Sequence, residues 1–75
     1  MTLGDKLKYQ RTRKGIKQYE LSDILCVSRA SISHWESDRS RPNYEELLAL
    51  CAIFEVSVEY MIGGMYDKKS INNNK

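Results

Sequence analysis

Cysteine is scarce in this sequence: Cys26 and Cys51 stand 25 positions apart, and no CxxC pair occurs. That spacing fits a reduced chain and argues against a disulfide scaffold or a structural zinc site. Histidine is scarcer still. The single His34 has no Ser–Asp or Cys partner at a spacing that would activate a nucleophile. With Cys26 eight residues away on a predicted turn and Cys51 on a predicted core face, His34 also lacks company for a metal. No apolar run approaches the ~18 residues that a membrane helix needs, and the N-terminal "MTLGDKLKYQRTRKG" has no apolar signal segment. These absences give the first expectations: no catalytic residue, no metal, no cofactor, no membrane, and a soluble intracellular, cytoplasmic protein.

What remains is a chain of 75 residues, 41% hydrophobic, near the lower limit at which a core holds without staples. The core must take most of that apolar content, which leaves little room for an enclosed cavity. Net charge is only +2, but it is unevenly placed. Residues 1–41 carry nine Lys/Arg against five acids, a balance of +4. Residues 42–75 carry three against five, a balance of −2. A basic half beside an acidic half suits one face for a polyanion and another for a different contact, although an ordinary solvated surface explains the charge equally well.

Hydrophobic spacing predicts five short helices and no strand. Thr2 to Lys14 places Leu3, Leu7 and Arg11 in one i, i+4 row, with basic residues in the last turn and Gly15 as terminator. Gln18 to Leu25 places Leu21, Ile24 and Leu25 on one stripe. Ser28 to Ser37 sets Ile32 and Trp35 three apart, with Ser28 as N-cap. After the loop "SDRSRPN", Pro42 and Asn43 start a helix over Tyr44 to Phe54, apolar through Leu47, Leu50, Cys51 and Phe54. Ser57 caps a fifth helix, Val58 to Ile62, ended by "GG". The fold expected is all-α and compact over residues 1–64, with 65–75 a flexible tail.

Only Cys26 and Val27 separate the second and third segments. Two short helices joined so tightly cannot lie antiparallel and must cross steeply, as in a helix-turn-helix. Leu21, Leu25, Val27, Ile32 and Trp35 supply apolar contacts for such a crossing, and Ser22 supplies the small residue where the helices nearly touch. That pattern by itself proves packing only.

The stretch "KGIKQYELSDILCVSRASISHWESDRSRPNYEELLALCAIFEVSVEYMIGG" resembles the Cro/repressor-type (Xre-like) helix-turn-helix family of phage and bacterial transcriptional regulators. The resemblance runs from about Leu3 to Gly64; "KGIKQ", "VSRASISHWE", the Pro42 loop and "FEVSVEYMIGG" carry it. It implies a five-helix, lambda-repressor-like DNA-binding domain, usually dimeric on palindromic operators. It also implies a structural ion pair between Arg11 and Glu36, and a Gln18 that bonds a phosphate and braces the third helix. Arg29, Ala30, Ser33 and His34 match the outward positions of the recognition helix. One departure stands out. Cys26 occupies a turn position that is usually glycine, and a left-handed conformation there costs roughly 1 kcal/mol.

The chemistry of the third segment agrees with that resemblance. If Ile32 and Trp35 face inward, Arg29, Ala30, Ser33 and His34 form one outward patch. Such a patch suits the major groove: an arginine fork for guanine, a small residue beside a thymine methyl, and short donors for base edges. Gln18, Ser28, Ser31, Arg39, Arg41 and Asn43, with Lys17 or Arg13, are candidates for phosphate contacts that fix register. Plain exposure stays open for His34, phosphate contact for Arg11, and Trp35 reads as core in preference to a stacking platform. One such helix covers few base pairs, so a homodimer on two half-sites is expected. The less basic C-terminal half, around Phe54, Val56, Val58, Tyr60 and Met61, is the candidate self-contact surface. The function expected is a non-enzymatic, double-stranded-DNA-binding regulator, in particular a repressor. The alternatives are an antitoxin or adaptor on the same fold, or the N-terminal domain of a longer repressor.

Overall fold

A computed structural model describes residues 1–63, and these form five helices in chain order: α1 (Leu3–Arg13), α2 (Gln18–Leu25), α3 (Arg29–Glu36), α4 (Tyr44–Phe54) and α5 (Val58–Ile62). The expected all-α architecture holds among the described residues. Gly64 and the expected tail, 65–75, lie outside them.

Local chemistry sets each boundary. Thr2 caps α1: its hydroxyl accepts from the Asp5 amide at 3.1 Å, while the Asp5 carboxylate accepts from the Thr2 amide at 3.1 Å. Asn43 and Glu46 make the same reciprocal pair at α4, both bonds 2.8 Å. Ser28 and Ser57 cap α3 and α5 through their hydroxyls. At α2 only half of this arrangement exists, because lysine offers no acceptor: the Glu20 carboxylate accepts from the Lys17 amide at 2.8 Å. Each such cap contributes about 1 kcal/mol. At the far ends, Gly15 at φ 72° follows α1, and Cys26 (φ 57°) and Glu55 (φ 58°) close α2 and α4 in the left-handed region. Cys26 therefore adopts the conformation for which glycine is the usual choice. The two-glycine end expected for α5 differs: Gly63 stays right-handed, at φ −57°.

One core joins the helices. Leu3 and Leu7 of α1, Leu21 of α2, Ile32 and Trp35 of α3, four residues of α4 and Met61 of α5 are buried together. Leu25 and Val27 pack half-buried at its edge, and Ser22 is buried on the helix face that carries Leu21. Ile24 departs from its expected place: it is 57% exposed, because the inward stripe of this eight-residue helix runs through Leu21, Ser22 and Leu25. Burial also pushes the Cys51 thiol up from its ordinary value, so the cysteine behaves as a small apolar core residue.

Helix α3 is the hub, packed by both α1 and α2, while α5 packs on α1 and α4. Gly4 is the point of closest approach. A Cβ there would lie 2.6 Å from the carbonyl oxygens of both Trp35 and Glu36, closer than real carbon contacts. The absence of a side chain is what lets the first turn of α1 lie against the last turn of α3.

Candidate nucleic-acid interface

The face of α3 opposite Ile32 and Trp35 is open. Arg29, Ala30 and Ser33 are exposed on it, and His34 is half-buried at its margin. Trp35 is 5% exposed and belongs to the core, which leaves it no face for stacking on a base. Helix α3 thus has one apolar side holding it down and one polar side offered outward, with the Arg29 fork in its first turn.

A buried polar network fixes that helix against α1 and α2. The Arg11 Nε donates to Glu36 Oε2 at 2.6 Å and its Nη2 donates to Oε1 at 3.2 Å, a forked ion pair between α1 and α3. Its remaining Nη1 donates to the Ile16 carbonyl at 2.8 Å, in the turn that leads into α2. Gln18, the first residue of α2, donates from Nε2 to the same Glu36 Oε1 at 3.1 Å. The brace to the third helix that the resemblance implied for Gln18 is therefore made through Glu36. One carboxylate ties three elements, and Arg11 is spent on the inside of the fold instead of on a surface contact.

The remaining candidates divide by their existing bonds. Arg39, Arg41 and Lys17 are exposed cations, and Gln18 keeps a second amide N–H. Ser28 and Ser31 share a hydroxyl contact of 3.0 Å at the start of α3, and the Ser28 oxygen accepts from the Ser31 amide. Asn43 uses its carbonyl oxygen as the cap of α4. Arg13 is not brought to this group. Its Nε and Nη2 both donate to Gln10 Oε1, at 3.0 and 2.9 Å, and Gln10 in turn donates to the Tyr60 hydroxyl of α5 at 3.2 Å. Arg13 also adds to the field that lowers the carboxyl of Glu55, so it serves the α1–α5 side.

Two of the five residues expected at a self-contact surface are corrected by their burial. Phe54 and Met61 are both 0% exposed within the single chain, because each points into the core where α4 and α5 meet. They have no surface to offer a partner. Val56 and Val58 are half-buried and Tyr60 is exposed.

Sequence reasoning missed Asp38. It stands at φ 63°, two residues after the end of α3, and its carboxylate accepts from the Gly4 amide at 2.9 Å and the Thr2 hydroxyl at 2.6 Å. The sequence signal was available in part: an aspartate inside "SDRSRPN" is among the few side-chained residues that tolerate a left-handed turn. Its partners, more than 30 residues away, could not be inferred from spacing.

A profile of the helix-turn-helix family matches residues 7–61, which include the whole α2–α3 unit and the open face of α3. The chain belongs to the Cro/repressor-type helix-turn-helix family. It is 38% identical over 64 residues to the HTH-type transcriptional activator BcrR of Enterococcus faecalis, covering 85% of this chain and 31% of that protein. It is 34% identical over 62 residues to the repressor protein C2 of Salmonella phage P22, covering 83% of this chain and 29% of that protein. It is 30% identical to the HTH-type transcriptional regulator DicA of Escherichia coli (strain K12), covering 92% of this chain and 51% of that protein. The chain thus spans between about a third and a half of the length of these relatives. Among solved structures, the P22 c2 repressor protein in complex with synthetic operator 9T in the presence of Tl+ superposes with a TM-score of 0.76 at 33% identity. That match covers 81% of this chain and 92% of the other. Among the described residues, no group of three His, Cys, Asp or Glu is placed to hold a metal, and no helix is long and apolar enough to cross a membrane.

Proposed function

We propose that this chain is a sequence-specific double-stranded-DNA-binding transcriptional regulator that acts as a repressor by occluding a promoter. The observation that carries the reading is the open polar face of α3, held rigidly by the Arg11–Glu36–Gln18 network, on a fold like that of a repressor solved with its operator. Helix α3 enters the major groove. Arg29, Ala30, Ser33 and His34 meet base edges, with the Arg29 fork matched to guanine and the Ala30 methyl to a thymine methyl. Lys17, Gln18, Ser28, Ser31, Arg39, Arg41 and Asn43 lie along the phosphates and set the register. The protein works in the cytoplasm as a binding module and catalyses no reaction.

One α3 reads few base pairs, so a homodimer on a palindromic operator completes the site. Val56, Val58 and Tyr60 are the self-contact residues that remain. Val58 borders a groove of about 270 Å³, shared with Leu47, Tyr44 and Ile62, that gives the self-contact an apolar centre.

Selection of bound sequences from a randomised duplex pool tests this reading. Enrichment of a palindrome with half-sites about one helical turn apart supports it; a pool that returns no enriched motif ends it.

A further inference from the structure

The loop between α3 and α4 carries Arg39 and Arg41, and nothing in its own sequence fixes where those arginines sit relative to α3. Its main chain is held at one point. The amides of Arg39 and Ser40 both donate to the His34 carbonyl, at 2.9 and 3.4 Å, around a left-handed Asp38. That turn would pivot about the end of α3 were it not for the Asp38 side chain. One carboxylate oxygen accepts from the Gly4 amide and the other from the Thr2 hydroxyl, so the turn is pinned to the first turn of α1. The Gly4 amide is one of the four N–H groups that a helix start leaves unpaired, and Asp38 satisfies it from 34 residues away. The negative carboxylate also faces the positive end of the α1 dipole. Gly4 itself has no Cβ because the carbonyls of Trp35 and Glu36 occupy that space.

We propose that Asp38 is a positioning residue for DNA binding: by pinning the turn after α3 to the start of α1, it aims Arg39 and Arg41 at the phosphates flanking the base-reading face. This rests on the DNA-binding reading above. Asp38 touches no DNA and, being anionic, would oppose a phosphate placed beside it.

Three variants separate aiming from strain. Asp38→Gly relieves the left-handed conformation but removes both tethers. Asp38→Asn tolerates the conformation, keeps one acceptor for the Gly4 amide, and reverses the second bond by donating to the Thr2 oxygen. Arg41→Ala removes a phosphate contact directly. Operator affinity is measured across a range of salt, well below the unfolding temperature of every variant, and amide exchange is measured without DNA. Asp38→Gly is expected to lose protection at the Gly4 amide and to flatten the salt dependence by about one unit, with affinity at ~0.1 M salt down roughly tenfold per phosphate lost. Asp38→Asn is expected to restore both. Loss of Gly4 protection with unchanged salt slope and affinity overturns the proposal, since Asp38 would then be structural only. Unchanged Gly4 protection in Asp38→Gly overturns it as well. If the wild type shows no sequence preference and Arg41→Ala leaves its salt slope unchanged, the DNA-binding reading fails instead, and the aiming role fails with it.

Discussion

The turn before α3 and the turn after it each hold a side-chained residue at positive φ, Cys26 at 57° and Asp38 at 63°. Cys26 is exposed and makes no side-chain bond. Its conformation is imposed by the main chain, through the Val27 amide on the Ser22 carbonyl at 3.0 Å and the Ser28 cap that follows. Asp38 has the same backbone cost and offsets it with two side-chain bonds to α1. A third such residue, Glu55, behaves like Asp38, accepting from Lys14 at 2.7 Å at the other end of α1. Left-handed turns thus divide into those held by their surroundings and those whose own side chain does the holding. Two of the second kind fasten α1 at both ends, and α1 in turn carries the ion pair that fixes α3.

The difference can be broken first at the carboxylate on which α3 depends most. Glu36→Ala leaves the buried Arg11 guanidinium without its partner and releases Gln18, and should lower stability by about 3–5 kcal/mol in chemical denaturation. Gly4→Ala puts a methyl against the Trp35 and Glu36 carbonyls and pushes α1 off the Asp38 turn; a loss of about 1–3 kcal/mol is expected. The two turns themselves should respond with opposite sign to the same substitution. Cys26→Gly relieves strain and loses no bond, so it should raise stability by less than about 1 kcal/mol after the added chain entropy of glycine. Asp38→Gly relieves equal strain yet should lower the melting temperature, because both tethers to α1 go.

The smallest effect concerns Glu55, which is fully exposed. The hydrogen bond from Lys14, and then its charge, hold the Glu55 carboxyl below its ordinary value. A depressed acid stabilises the fold when ionised, so this contribution is present at neutral pH and is lost as pH falls through the folded-state value. Melting curves of wild type and Glu55→Gln should differ slightly at about pH 6 and converge by about pH 3. A gap that persists in acid would show that the Lys14 contact contributes through something other than charge.

Most of the fold was legible in the sequence because its determinants are local. Thr2, Ser28, Asn43 and Ser57 announce helix starts by their own chemistry, and the row of Leu47, Leu50, Cys51 and Phe54 names the buried face of α4. The outward patch of α3 followed from Ile32 and Trp35 facing inward. What could not be read depends on how helices cross. Ile24 lies on a short helix whose apolar spacing permits two faces, and only packing chooses between them. Phe54 and Met61 are as apolar as interface residues and are told apart from them by burial alone. Arg13 is held by Gln10 and Asp38 by Gly4, pairings set by the tertiary arrangement of α1 and not by any spacing.

The division of labour between α3 and the loop after it is the centre of this account, and one measurement addresses it directly. Binding of wild type, Arg29→Ala and Arg41→Ala would be measured on the selected operator and on every single-base variant of one half-site. Arg29→Ala should lose about 1–3 kcal/mol of discrimination at one base pair and keep the rest. Arg41→Ala should weaken every variant alike. If Arg29→Ala weakened all sites equally, or changed none, α3 would not be the reading element and the account would be contradicted.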